Sequence, residues 1–298
     1  MKIAIIGGTG LLGSNLVKLY YEYDVRSFSR GHSANVSKIN NNILNFDCLD
    51  NELSQYFDAW KPNIIINAIA LVSLQKCEDD YEAANDINCN IAVQISKIAQ
   101  KYNSYFIHIS TDHYYDDQLI IHNELQKVTL KNNYAITKYN AEREIEKNNR
   151  HAIIIRTNII GFRRSIKDSF FEWLISALKN NEKINLYTNF YTSPIDVNHL
   201  GKILILCYEK KLSGIYNISS SMVIDKYSFG LKVAKKFGFS ADYISEVEIK
   251  NISSVDLQRA LTLGLDISKI ENALQLKMPT IDKIIDNLYI EYMDFNES

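Results

Sequence analysis

Tyr134 and Lys138 stand four residues apart in Tyr134-Ala135-Ile136-Thr137-Lys138, a stretch patterned as a helix. Helical spacing puts both side chains on one face, roughly 5–6 Å apart at Cβ. A neighbouring ammonium favours phenolate, so Lys138 is expected to lower the pKa of Tyr134 toward working pH. A phenol tuned in this way can exchange a proton with a carbonyl or an alcohol while a nicotinamide moves a hydride. Such proton transfer is worth about 10²–10⁴ in rate. Thr111, in Ser110-Thr111-Asp112 after an apolar run, can hold the carbonyl oxygen beside that phenol, and Lys138 can also reach a nicotinamide ribose. Among 19 tyrosines one Tyr-x-x-x-Lys is expected by chance, and a surface pair on an amphipathic helix is the plain alternative. Context has to decide.

The context begins at the N-terminus. Ile3-Ala4-Ile5-Ile6 breaks into Gly7-Gly8-Thr9-Gly10-Leu11-Leu12-Gly13 and then into helical patterning. Strand, glycine turn and helix start, in that order, suit a dinucleotide. Glycine lets pyrophosphate oxygens approach the main chain, and the helix start offers unpaired N–H groups at a positive dipole end. An ordinary strand-to-helix turn is the alternative, but it does not need four glycines in seven residues.

The elements that position these residues follow from apolar periodicity. Strands are predicted at Ile3–Ile6, Val25–Ser29, Ile43–Phe46, Ile64–Asn67, Tyr105–Ser110 and Ala152–Arg156, with helices over Tyr81–Lys101 and Asn133–Lys147. Alternating strands and helices imply an α/β fold: a Rossmann-type, doubly wound parallel sheet with ligands outside the carboxyl ends of its strands. After Arg156 helices dominate (Phe170–Lys179, Val197–Glu209, Lys226–Phe237, Ile281–Tyr292), with a short strand at Gly214–Ile218. The expected division is a NAD(P)-binding domain over 1–157 and a smaller, mainly helical substrate-binding lobe over 158–298, the two interleaved. Asn41-Asn42 and Asn180-Asn181 read as loops.

The bulk numbers exclude several classes. With 33 basic and 35 acidic residues in 298, no basic field points to nucleic acid. No apolar run is long enough to span a bilayer, and the N-terminal run is too short for a signal peptide, so a cytoplasmic location is expected. Cys48, Cys77, Cys89 and Cys207 form no CxxC pair, so reduced and mostly buried thiols are expected, with no metal site.

Cofactor choice is read at the end of the second strand. Acids there hold the ribose of NAD; this chain has Ser29-Arg30. A hydroxyl and a guanidinium suit a 2′-phosphate, so NADP(H) is expected to be preferred, with NAD(H) still admissible. Asp47 is placed to accept from the adenine amino group, and Ala68, Ile69 and Ala70 to line the cofactor channel. The substrate side is expected to use Asp112, His113, Thr157, Asn158 and Arg163. Arg163 and Arg164 could meet a diphosphate or be solvated loop charges. His108 reads as core, Phe170, Phe171 and Trp173 as helix core rather than a sugar platform, and Glu142, Arg143, Glu144 and Glu146 as a solvated helix face.

These motifs together resemble the extended short-chain dehydrogenase/reductases, and within them the dTDP-4-dehydrorhamnose reductase-like group, over nearly the whole length. Gly7, Gly10 and Gly13 match the glycine turn. Lys61-Pro62-Asn63-Ile64-Ile65-Ile66-Asn67-Ala68 is similar to "KPDVVINAAA", and Lys76-Cys77-Glu78 and Asn88 fall at the family's "KAE" and helix asparagine. Ser110 to Asp116 resembles "STDYVFD", Arg156-Thr157 the "LRT" segment, and Ser193-Pro194, Gly214 to Asn217 and Leu265-Asp266 the substrate lobe. The resemblance implies Tyr134, Lys138 and Thr111 as the catalytic set and a nicotinamide-dependent reductase of nucleotide-linked 4-keto-6-deoxy sugars, in surface-polysaccharide sugar biosynthesis. It also implies a homodimer as the arrangement to test. Departures at Ala135, Asp117, Asn189 to Ile195 and Arg259-Ala260 leave the particular sugar open. Two alternatives stay open. One is a nucleotide-sugar epimerase or dehydratase, the dehydratase disfavoured because His113 stands where such enzymes carry an acid. The other is a non-catalytic, NADP-binding regulatory subunit like that of methionine adenosyltransferase.

Overall fold

Successive residues of the apolar runs face opposite ways, as the two-residue period of a strand requires. Ile3, Ile5, Ile64, Ile66, Ile107, Ile153 and Ile155 belong to one buried cluster, and Ala4, Ile6, Ile65, Phe106 and Ile154 to another. A sheet buried on both faces is the result, which is why these strands read as continuous apolar runs. A computed structural model describes residues 1–31, 41–115, 119–163, 168–249 and 258–296. Asp116, Asp117 and Arg164, weighed above, lie outside them.

In chain order the first half contains β1 (Lys2–Ile6), α1 (Leu11–Leu19), β2 (Asp24–Ser29), β3 (Asn41–Ile43), α2 (Leu49–Trp60), β4 (Ile64–Asn67), α3 (Leu74–Asp79), α4 (Tyr81–Asn85), α5 (Ile91–Lys101), β5 (Tyr105–Ile109), β6 (Ile121–His122), α6 (Asn133–Asn148), β7 (Ile153–Arg156) and β8 (Ile159–Ile160). The second half contains α7 (Phe170–Lys179), β9 (Ile184–Tyr187), β10 (Tyr191–Thr192), β11 (Ile195–Asp196), α8 (Val197–Glu209), β12 (Gly214–Asn217), β13 (Ile224–Asp225), α9 (Lys226–Phe237), β14 (Ile244–Val247), β15 (Thr262–Leu265), α10 (Ser268–Leu274) and α11 (Ile281–Asn296).

The main sheet has seven strands in the order β12-β7-β5-β4-β1-β2-β3, all parallel. From β1 the chain winds outward to β2 and β3, then returns to β4 and winds the other way. The switch point therefore lies between β1 and β4, where such sheets open a crevice at their carboxyl ends. The sheet is the doubly wound Rossmann-type one expected. Its last strand comes from late in the chain: β12 pairs with β7, Tyr216 opposite Ile155. Residues beyond 157 thus complete the first-half sheet. They also supply three strands of the four-stranded sheet β13-β10-β15-β6, whose edge strand β6 comes from the first half, and form two two-stranded pairs, so this half holds more strand than its helical patterning suggested.

Three local expectations change. The third strand is Asn41–Ile43 rather than Ile43–Phe46, so Asn41 and Asn42 are strand and not loop, while Phe46–Cys48 is a 3₁₀ turn. Side chains explain the shift: Asn41 accepts from Ser27 Oγ (2.7 Å) and donates to Ser29 Oγ (2.8 Å), so its polarity is satisfied in the ladder. The helix predicted over Tyr81–Lys101 is interrupted by a π turn, Asp86–Asn90. Asn180 and Asn181 end α7 in a turn, as their loop reading expected, Asn181 with positive φ.

Candidate active site

The glycine turn sits at the switch point. Gly7 has φ +101°, a region L side chains rarely adopt, and its amide donates to Phe28 O (2.8 Å). A Cβ on Gly7 would lie 2.8 Å from the Ala68 carbonyl carbon, so the loop after β4 packs directly on the turn. A Cβ on Gly13 would lie 2.3 Å from Gly7 O, which brings α1 close under the turn. Gly10 is the N-cap of α1 and no side chain caps that end; a Cβ on Gly10 would meet only Gly7 O, at 3.4 Å. The helix start therefore keeps its amides open behind a backbone without bulk, a cradle that fits a pyrophosphate. Thr9, Leu11 and Leu12 belong to the same turn and first helical positions, Leu12 buried.

Ala68, Ile69 and Ala70 follow β4 at the switch point, each half-buried. The loop is held by side-chain hydrogen bonds from two elements. Asn67 Oδ1 accepts from Ile69 N (3.1 Å), and Asn88 Oδ1 accepts from Leu71 N (2.7 Å). Asn88 also donates to Thr137 Oγ1 (3.1 Å) on α6, between Tyr134 and Lys138. The π turn delivers this asparagine, fully buried, to the joint between the loop after β4 and α6. Glu78 and Cys77 anchor the start of α6, Glu78 Oε1 accepting from Asn133 N (2.7 Å) and Cys77 O from Asn133 Nδ2 (3.2 Å). Asn132 caps α6 by accepting from Ala135 N (2.9 Å).

Tyr134, Thr111 and His113 come together. The Thr111 hydroxyl lies near enough to the Tyr134 phenol to lower its pKa, and the His113 ring meets Tyr134 edge-on at 5.5 Å. His113 N donates to Thr111 Oγ1 (3.3 Å). Tyr134 is 8% exposed, and burial pushes its phenol up to about 12, while the nearby Thr111 hydroxyl pulls it down. This corrects the expectation that Lys138 lowers it. Lys138, 1% exposed, turns instead to Ile109 O (2.7 Å) and His108 Nε2 (3.4 Å), and burial pulls its own pKa down to about 8 while Glu142 raises it. His108 is core as expected: Nδ1 meets Asn67 Nδ2 (3.1 Å), and burial, reinforced by Lys138, holds it well below its ordinary value.

Asp112 is buried beside them. Asn158 Nδ2 donates to its Oδ2 (2.7 Å), and burial raises its pKa despite that bond. Among the described residues Thr157 is buried with its hydroxyl unpartnered. Arg163 is half-buried, with Nε likewise unpartnered, rather than a free surface charge. Its neighbour Phe162 accepts at O from Asn15 Nδ2 of α1 (2.9 Å), which ties that segment to the first helix. Arg30 and Asp47 share a separate surface groove with Leu44 and Phe46, Arg30 lying over the Phe46 ring at 5.7 Å. Ser29 Oγ there is engaged with Gly31 O (2.7 Å) and Asn41.

Two side chains differ from their sequence reading. Glu142 is not on a solvated face: it is 0% exposed and chelates Arg156 (2% exposed) with Nη2–Oε2 at 2.7 Å and Nε to both oxygens at 3.1 Å. It also accepts from Ser110 Oγ (2.6 Å), and Arg156 donates to Tyr115 OH (2.7 Å). Helical period alone cannot distinguish a carboxylate facing water from one facing a buried arginine on the next strand. Phe171 is core, but Trp173 is 41% exposed and Phe170 half-buried, carrying Lys226 Nζ at 4.5 Å from its ring. Sequence reasoning missed Lys226; its one signal was a cation at the first position of a helix, against the dipole.

All four cysteines are free, three of them buried. Among the described residues no His, Cys, Asp and Glu cluster could hold a metal ion, and no helix is long and apolar enough to cross a membrane.

The model of the family described as RmlD substrate binding domain matches residues 1–293. The chain belongs to this family. The resemblance to extended short-chain reductases of the dTDP-4-dehydrorhamnose reductase group therefore holds. A relative, the probable low-salt glycan biosynthesis reductase Agl14 of Haloferax volcanii, is 23% identical over 308 residues, 99% of this chain and 100% of that protein. The methionine adenosyltransferase 2 subunit beta of Xenopus laevis is 23% identical, over 91% of this chain and 81% of its own. A dTDP-4-dehydrorhamnose reductase of Bacillus anthracis, solved in complex with NADP, superposes with a TM-score of 0.84 at 21% identity, covering 97% of this chain and 98% of that one. That likeness establishes the shared fold.

Proposed function

We propose that this RmlD-family protein is a nicotinamide-dependent reductase of a nucleotide-linked 4-keto-6-deoxy sugar, preferring NADP(H) and serving surface-polysaccharide sugar biosynthesis. The observation that carries the reading is the buried Tyr134 phenol, packed against His113 at 5.5 Å beside Thr111 and held at about 12. Reduction needs a proton donor that stays protonated, and burial supplies one. A reduced nicotinamide, when bound, supplies the hydride. The residues would divide the remaining work. Tyr134 donates its proton to the carbonyl oxygen as negative charge develops there, and Thr111 orients that oxygen. Lys138 provides a fixed positive charge behind Tyr134 and a donor for a ribose hydroxyl. The glycine turn and the α1 start would hold the pyrophosphate, and Arg30 a 2′-phosphate, with Asp47 toward the adenine. Asp112, His113, Thr157, Asn158 and Arg163 would face the sugar nucleotide.

The test is NADPH oxidation with a panel of dTDP-, UDP- and GDP-linked 4-keto-6-deoxy sugars. Wild type should turn over at least one, and Tyr134→Phe should lose about 10²–10⁴ in kcat with cofactor binding retained. An unimpaired Tyr134→Phe enzyme refutes the mechanism. The second reading, a non-catalytic subunit, is favoured by the likeness to methionine adenosyltransferase 2 subunit beta over 91% of this chain. Absence of turnover across the panel, with a stable complex between two different chains, would select it.

A further inference from the structure

We propose that Lys226 is a specificity-determining anion contact: its ammonium, presented on two phenyl faces at the Asp112–His113 side of the crevice, receives an anionic oxygen of the substrate. The proposal rests on the nucleotide-sugar reading above and adds a residue that reading does not use.

Local physics does not favour a lysine here. Lys226 opens α9, whose N-cap Asp225 accepts from Ser228 N (2.7 Å). A cation in the first turn opposes the helix dipole. What holds it is aromatic: Nζ lies 4.5 Å from the Phe170 ring centroid and 5.4 Å from that of Phe190. Ring faces attract a cation but accept none of its three N–H bonds in the way an oxygen does. Among the described residues Lys226 has no hydrogen bond, and no carboxylate oxygen within 4.0 Å. Asp112 attracts it from farther off, but that carboxylate is already engaged by Asn158 (2.7 Å) and Thr111 (3.4 Å).

The position is on the reacting side. Lys226 and Arg259 both act on His113 as nearby positive charges, and the His113 ring packs on Tyr134 at 5.5 Å. Burial draws the Lys226 pKa down to about 8, so the group is charged at pH 7 yet poorly solvated. A half-buried ammonium with open donors gains more from an anionic oxygen than an exposed one does, because less water competes. In a nucleotide-linked 6-deoxy sugar, whose C6 is a methyl group, the diphosphate offers such oxygens.

The experiment titrates UDP, UDP-glucose and UDP-glucuronate, and their dTDP and GDP counterparts, into the NADPH-saturated protein at pH 7. Wild type, Lys226→Met and Lys226→Arg are compared by calorimetry, with melting temperature as the check on folding. Lys226→Met should bind at least tenfold more weakly, and Lys226→Arg should recover most of the loss. Weakening of all the nucleotides supports a diphosphate contact; weakening of the glucuronate form alone, through a carboxylate that a 6-deoxy sugar lacks, overturns it. Unchanged affinities in a folded Lys226→Met protein overturn the proposal and leave the reductase reading standing. If Lys226→Met does not fold, Lys226→Gln takes its place under the same criterion. A wild-type protein that binds none of these probes defeats the nucleotide-sugar reading itself, and this proposal with it.

Discussion

Replacing Glu142 with alanine tests whether the ion pair behind the site is structural. The pair is closed from water, with Glu142 0% and Arg156 2% exposed. The substitution removes both carboxylate oxygens that Arg156 chelates, at 2.7 and 3.1 Å, and the acceptor of Ser110 Oγ at 2.6 Å. Breaking one partner of a buried pair costs about 3–5 kcal/mol, because the other charge stays buried alone. Arg156 would keep Tyr115 OH (2.7 Å) and the face of Tyr114 (4.8 Å), which argues for the lower end, about 3 kcal/mol. That is a factor of more than about a hundred in the folding equilibrium. Urea unfolding followed by fluorescence should show the midpoint falling with an unchanged m-value. The double variant Glu142→Leu with Arg156→Met should recover much of the loss, since it removes the stranded charge as well. A loss below about 1 kcal/mol in the single variant, in the range of a surface pair, would refute the argument.

Further outcomes follow from the same structure. Lys138 gives up its proton at about 8, so kcat for reduction should fall as pH rises through that value, and a profile flat to pH 10 would exclude an essential charged Lys138. The stability term has the opposite sense. The native lysine sheds its proton at about 8 while the unfolded one keeps it to its ordinary value of 10.5, so the unfolded state binds more protons across that window. Stability should therefore gain from Lys138 as pH rises from about 8 to 10.5, and Lys138→Met should lack that gain in urea titrations. Gly13→Ala places a Cβ 2.3 Å from Gly7 O, and should weaken cofactor binding and cost about 1–3 kcal/mol; unchanged NADPH affinity would show that the turn does not depend on that approach. Arg30→Ala should weaken NADPH about tenfold and NADH little, measured by nucleotide fluorescence. Equal losses for both would remove the 2′-phosphate assignment.

Most of the buried strands, the glycine turn and the helical spacing of Tyr134 and Lys138 were legible because each has a local signature. Apolar runs announce buried strands, four glycines in seven residues announce a tight approach, and a Tyr-x-x-x-Lys pair needs only helical period. Tertiary packing decided what those signatures cannot contain. Lys138 faces Ile109 O because β5 lies against α6, so the phenol is tuned by burial and by Thr111 rather than by the ammonium. Glu142 is buried because Arg156 ends the neighbouring strand β7, fourteen residues on. β12 joins the first-half sheet, and Lys226 meets Phe170 and Phe190, through contacts between segments far apart in the chain. Sequence alone determines which groups are present and the period on which they recur. Their protonation, their burial and their partners depend on which distant backbone fills the space beside them, and only the folded chain sets that.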